Sequence, residues 1–159
     1  MELSKRMSDN FHSGVWSVGR RLRVYTGGTF DLFHYGHVNL LKECHRIANG
    51  GWVTVSVNTD EFSNFYKQPT VMSLNERVAV LRSCRFVDDV VVNVGGADSK
   101  VAILSVMPDV IVVGDDWRNK DYCKQMGFSE EWLSEHKIQI VFVPYTKTIS
   151  TTEIRGRLQ

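Results

Sequence analysis

The residues best equipped for chemistry lie in one run: Gly27-Gly28-Thr29-Phe30-Asp31-Leu32-Phe33-His34-Tyr35-Gly36-His37. His34 and His37 stand three residues apart at the expected start of a helix, a spacing that lets both imidazoles face the same way. A helix N-terminus adds free N–H groups and the positive end of a dipole, which suit a phosphate. Gly36 leaves out a side chain where a phosphate could press against the backbone. Two donors aimed at one phosphate would stabilise charge growing on its oxygens during displacement. Spacing alone leaves two other readings open. A His-x-x-His pair can be half of a zinc site, although His45 is a distant third ligand and no cluster completes the set. The two could also be unrelated surface histidines. The run is not Gly-x-Gly-x-x-Gly, has no acidic residue placed for a ribose, and is not followed by Gly-Lys-Ser/Thr. Neither a dinucleotide fingerprint nor a P-loop fits.

The elements that must position these residues alternate along the chain. Leu22–Thr26 is β-rich and enters a Gly-Gly turn, and Val38–Ala48 has helical spacing stopped by Asn49-Gly50-Gly51. Trp52–Val57 reads as a strand, and the polar stretch 59–73, with Pro69, reads mostly as loop. Ser73 and Glu76 form a capping-box pair for a helix over Leu74–Cys84. Further strands are expected at Val87–Val92, Asp109–Val113 and Ile138–Val143, with helices at Lys100–Met107, within 118–136 and at Thr151–Leu158. Short, β-branched strands alternating with helices predict an α/β fold: a Rossmann-like, doubly wound, parallel five-stranded sheet in a single domain over 22–159. Ligands of such sheets bind beyond the carboxyl ends of the strands, at the topological switch point. Residues 1–21 are expected to be an arm, flexible or packed at a subunit interface.

Composition excludes several classes. A chain of 159 residues with 43% apolar and 23% charged residues is one ordinary globular domain, neither a disordered polymer nor a collagen-like repeat. No apolar run approaches the roughly 20 residues of a membrane span, so no membrane insertion is expected. The N-terminal segment lacks the apolar core of a secretory signal. Three widely spaced cysteines, with no Cys-x-x-Cys, argue for a reducing, cytoplasmic setting. The net charge of +1 leaves no broad basic footprint, which argues against nucleic acid as a partner.

The ordered residues Gly28-Thr29-Phe30-Asp31-x-x-His34-x-Gly36-His37 resemble the signature of the His-x-Gly-His nucleotidyltransferase superfamily. Ile149-Ser150-Thr151-Thr152 resembles that superfamily's second signature. Asn58-Thr59-Asp60-Glu61-Phe62 and Gly114-Asp115-Asp116-Trp117 look like glycerol-3-phosphate cytidylyltransferases, and the resemblance covers about residues 23–158. It implies that CTP and an alcohol phosphate give a CDP-alcohol and pyrophosphate by in-line attack on the α-phosphorus. His34 and His37 would hold CTP phosphates and stabilise the transition state, with Gly28, Thr29, Phe30, Asp31 and Gly36 around them. Arg77 and Arg85 match two arginines of the family, Arg85 as a catalytic residue and Arg77 toward the substrate. Asp115 would place the nucleotide, Asp116 would bind the substrate, and Trp117 would wall the acceptor or nucleotide pocket. Ser150 and Thr151 would cap the last helix, hold β- and γ-phosphates, or do both. Mg²⁺ would bridge triphosphate oxygens, with Asp31 its best protein ligand. A homodimer is also implied.

The chain departs from the family in two places. Where the second signature usually has arginine and glycine, it has Tyr145 and Thr148, leaving Lys147 or Arg155 to supply charge without the same geometry. In the flexible loop only Lys67 remains of the family's lysines, one place displaced. The stretch Ile149–Arg155 also resembles adenylyltransferases of the superfamily acting on a sugar phosphate or cofactor precursor. A nucleotide-binding protein with weakened turnover is the other alternative.

Overall fold

The computed structural model describes residues 19–159, so nearly all of the expected arm over 1–21 lies outside the described residues. Five strands form one all-parallel sheet in the order β3-β2-β1-β4-β5. They are β1 (Arg23–Gly28), β2 (Trp52–Asn58), β3 (Asp89–Asn93), β4 (Val110–Gly114) and β5 (Gln139–Val143). The helices between them are α1 (Tyr35–Ala48), α2 (Asp60–Tyr66), α3 (Leu74–Arg82), α4 (Lys100–Val106), α5 (Tyr122–Met126), α6 (Glu130–Glu135) and α7 (Thr151–Arg157), with a single 3₁₀ turn at Asp115–Trp117.

Strand side chains alternate between the two faces, which divides the core. Val24 of β1 and Val110 and Val112 of β4 pack with Cys44 and Ala48 of α1 on one face. Their neighbours Tyr25, Ile111 and Val113 pack with Ile103, Tyr122, Phe128 and Leu133 of the α4–α6 region on the other. A third cluster joins Phe30, Leu41, Val55, Val57 and Leu81 under α1 and α3. The chain thus winds outward from β1 in both directions. A crevice opens where β1 and β4 send their connections to opposite faces, at the carboxyl ends of the strands. Among the described residues no helix is long and apolar enough to cross a membrane.

Several boundaries differ from the sequence reading, three of them with a clear local cause. The expected loop 59–73 contains α2, because Thr59 Oγ1 accepts from Phe62 N at 3.1 Å and Asp60 and Glu61 occupy the first turn. Helix α1 begins at Tyr35 rather than Val38, because His34 itself is the cap. Strand β3 begins at Asp89 rather than Val87, since the Asp88 carboxylate accepts from Val53 N at 2.8 Å and holds the approach to the strand as a turn. The Ser73–Glu76 capping box of α3 forms as read.

Candidate active site

A cavity of about 1220 Å³ lies over the carboxyl ends of the strands. Its floor is the turn from β1 into α1. Gly36 N donates to His34 Nδ1 at 3.0 Å, and His34 N donates to His37 Nδ1 at 3.2 Å. The two imidazoles therefore form a reciprocal capping box, stacked with centroids 3.8 Å apart. An accepting ring nitrogen carries no proton, so each neutral ring bears its proton on Nε2. Burial pushes both rings below the usual histidine range, His37 to about 3 with further lowering from His34. Near neutral pH the pair is thus two uncharged N–H donors. A Cβ on residue 36 would stand 2.9 Å from His34 Cε1, so Gly36 makes room for the neighbouring imidazole itself. That is a different reason for glycine from the close phosphate approach read in the sequence. His45 packs on Phe86, and among the described residues no group of three or more His, Cys, Asp or Glu could hold a metal ion. The zinc alternative finds no site there.

Between β1 and the histidines the backbone takes positive φ at Phe30 (56°) and Leu32 (47°), a conformation that non-glycine residues adopt at a cost. These turns carry Asp31 inward, where Oδ2 accepts from Val71 N and Oδ1 from Met72 N, both at 2.9 Å. Arg155 of α7 pairs with Oδ2 at 3.0 Å and also donates to Pro69 O. Burial works to raise the Asp31 carboxyl, but these donors outweigh it and hold it below the usual carboxylate range. Both carboxylate oxygens are already engaged, which makes Asp31 a poor fit as a metal ligand. It is instead a tie between the loop over 67–72 and the last helix. Thr151 strengthens the same tie by donating Oγ1 to Asp31 O at 3.0 Å.

Arg77 lies beneath this turn rather than in the cavity, and is 1% exposed. Nη1 donates to Thr29 O at 2.7 Å and Asn58 O at 2.9 Å, Nε donates to Met72 O at 3.2 Å, and Nη2 pairs with Asp60. The substrate role expected from the sequence is therefore replaced by a buried clamp joining β1, β2, α2 and the loop. Its donors are spent on the protein. Arg85 is not brought to the cavity either. It is exposed over the Phe86 ring at the entry to β3, the opposite end of the sheet from the histidines.

The other expected residues gather around the cavity to different degrees. Gly28, Thr29, Phe30 and Lys67 line one side. Asp116, Trp117, Ile149, Ser150, Thr151 and Thr152 line the other, with Arg155. Ser150 Oγ accepts from Glu153 N at 3.1 Å as the cap of α7. Asp115 stands behind the wall, where Oδ1 accepts from Tyr145 N at 3.0 Å, so it fixes the strand exit that carries Tyr145. Lys147 is exposed and does not line the cavity, whereas Tyr145 does.

Sequence reasoning missed a row of neutral polar groups. Asn58 and Asn93 end the neighbouring strands β2 and β3 in register. Asn58 Nδ2 donates to Tyr66 OH at 3.1 Å and toward Thr29 Oγ1 at 3.4 Å, while Asn93 Nδ2 donates to Asn58 Oδ1 at 2.9 Å. A polar residue closing an otherwise apolar parallel strand is the signal that could have revealed both.

Comparison with known proteins accords with this arrangement. A family model described as Cytidylyltransferase-like matches residues 25–157. The glycerol-3-phosphate cytidylyltransferase of Bacillus subtilis is 34% identical over 137 residues, covering 86% of this chain and 96% of that protein. The FAD synthase of Pyrococcus abyssi is 40% identical over 128 residues, covering 79% of this chain and 82% of that protein. Among solved structures, a lipopolysaccharide core biosynthesis protein from Thermoplasma volcanium superposes with a TM-score of 0.64 at 25% identity, over 80% of this chain and all of that one.

Proposed function

This chain belongs to the cytidylyltransferase-like family of nucleotidyltransferases, and from that premise we propose that it transfers CMP from CTP to glycerol 3-phosphate, releasing pyrophosphate. The observation that carries the proposal is the stacked pair His34 and His37, two neutral donors held by backbone N–H groups at the cavity floor. In this reading the acceptor's phosphate oxygen attacks the α-phosphorus in line and the P–O bond to pyrophosphate breaks. The acceptor is already ionised near neutral pH and needs no strong base. The work left to the protein is positioning and charge stabilisation. The Nε2–H groups of His34 and His37 would meet the phosphoryl oxygens as charge grows on them. Lys67, at the rim, would approach the reacting phosphates from above. Thr152 and the Ser150–Thr151 backbone would face the β- and γ-phosphates. Asp116 and Trp117 would bound the pocket on the β4 side.

Mg²⁺ would enter with the triphosphate and neutralise part of its charge. Both Asp31 oxygens already hold donors, so that carboxylate offers the ion no ready ligand. A homodimer is part of the proposal, and a monomeric mass by light scattering at micromolar concentration would remove it. A second reading, an adenylyltransferase, is favoured by Tyr145 in place of the signature arginine and by the similarity to the FAD synthase. Pyrophosphate release separates the readings. CTP-selective release with glycerol 3-phosphate is expected, ATP preference would support the second reading, and nucleotide binding without release would support a protein that has lost turnover.

A further inference from the structure

Two residues lining the cavity each carry a buried oxygen with unmet hydrogen-bonding capacity: Ser56 Oγ, which has only the Tyr25 phenol beside it, and Asn93 Oδ1, which has no partner. Their residues are 1% and 4% exposed. A buried oxygen with unmet capacity is costly, so two of them beside one cavity call for an explanation. The orientation of Asn93 is not free. Its Nδ2 donates to Asn58 Oδ1 and to Gly96 O, both at 2.9 Å, and turning the amide over would set oxygen against oxygen twice. The lone acceptor is therefore locked in place by the same amide row that ends on Thr29 beside the histidines. Ser56 lies one strand inward on β2, with the Tyr25 phenol next to it. Burial pushes that phenol up to about 12, against a smaller pull from Ser56, so it stays an uncharged O–H.

The chemistry of this corner is neutral. Apart from Asp31, which Arg155 neutralises, the buried polar side chains lining the cavity are hydroxyls and amides. No buried carboxylate is left to receive an ammonium group. We propose that Ser56 and Asn93 are the specificity-determining residues for the acceptor: Asn93 Oδ1 accepts from one hydroxyl of a neutral polyol phosphate and Ser56 Oγ pairs with a second. The inference rests on the cytidylyltransferase reading and adds which groups read the acceptor and what they reject. A quaternary-ammonium alcohol phosphate has no hydroxyl to offer either oxygen.

Pyrophosphate release measured with CTP against glycerol 3-phosphate, n-propyl phosphate and choline phosphate tests it. For the wild-type chain, removing the hydroxyls is expected to lower kcat/KM by about tenfold to a hundredfold, and choline phosphate should do no better than propyl phosphate. Asn93→Leu should erase most of that discrimination, bringing glycerol 3-phosphate down to the propyl level through KM, with KM for CTP within about twofold. A general loss of structure would move both KM values and kcat together. Because Asn93 also donates two hydrogen bonds, Ser56→Ala is the second arm, expected to remove a smaller part of the discrimination in a chain that keeps the amide row. Full discrimination in both variants would overturn this inference alone. No pyrophosphate from the wild type with any alcohol phosphate would overturn the cytidylyltransferase reading and this one with it.

Discussion

The floor of the cavity and its rim are built differently. On the floor, His34, His37 and Asp31 each hold hydrogen bonds to backbone groups that fix their orientation, and Arg77 clamps the turn from below. On the rim, Lys67 and Tyr145 are exposed, and Tyr145 is tied only through its backbone. A floor fixed before any ligand arrives needs no reorganisation when charge develops, which is where electrostatic catalysis gains most. A rim of exposed side chains can order itself around a bound nucleotide instead. Of the departures from the family pattern, Tyr145 and the displaced Lys67 fall on the rim, and Thr148 is exposed outside the lining. The proposed transition-state donors are untouched by them.

The sharpest way to break this contrast is to unlock the floor. Arg77→Ala would leave the Thr29 and Asn58 carbonyls without their donor and Asp60 without its partner. A loss of about 3 kcal/mol in unfolding free energy is expected, discounted because Asp60 is partly exposed. Urea midpoints check this, and a change below about 1 kcal/mol would mean that the floor is held by something else. His37→Ala leaves the clamp intact and removes one donor. Turnover should fall by at least about a hundredfold, with stability changed far less. Near-normal kcat would refute the role given to His37.

The same pair predicts how stability depends on pH. Burial lowers the folded-state pKa of His37 to about 3, while an unfolded histidine titrates near its ordinary value, so the unfolded chain binds the proton first. The stabilisation is complete above the ordinary histidine range and is lost as pH falls toward about 3. Between pH 7 and pH 5 the loss should be about 2 kcal/mol, and His37→Gln should flatten the profile in that window. Asp31, held below the carboxylate range, adds stability above its unfolded pKa and loses it only in stronger acid, so the two effects separate. An unchanged slope in the variant would show that His37 is not the group responsible.

How far the sequence carried this picture depended on whether one local rule governed each residue. The strands were legible because burial on both faces demands continuous β-branched runs, and the Ser73–Glu76 cap because its spacing is self-contained. His34 and His37 were legible as a pair, but their mutual capping was not, since it depends on a turn with positive φ at Phe30 and Leu32. Arg77 was misread because nothing in a helix pattern shows whether a charged side chain points to solvent, to ligand or beneath a neighbouring turn. Arg85 was drawn to the site by its match to the family, yet strand direction puts that position at the far end of the sheet. The acceptors on Ser56 and Asn93 needed the register of β2 against β3, which no single segment contains.

Helix α2 sharpens the comparison because it belongs to both regions. Its first turn is floor: Thr59 caps it and Asp60 pairs with Arg77. Its last turn is rim: Tyr66 reaches the Thr29 and Asn58 side chains, and Lys67 follows at its C-cap. A seven-residue helix has too few internal hydrogen bonds to stand without its cap and its packing. Thr59→Ala removes the acceptor for Phe62 N and should cost about 1 kcal/mol by urea denaturation. If floor and rim are separable, the loss should loosen Lys67 and lower turnover only severalfold, while the pH profile set by His37 stays where it was. A collapse of activity as deep as that of His37→Ala would show that α2 transmits order into the floor, and that the two regions act as one unit.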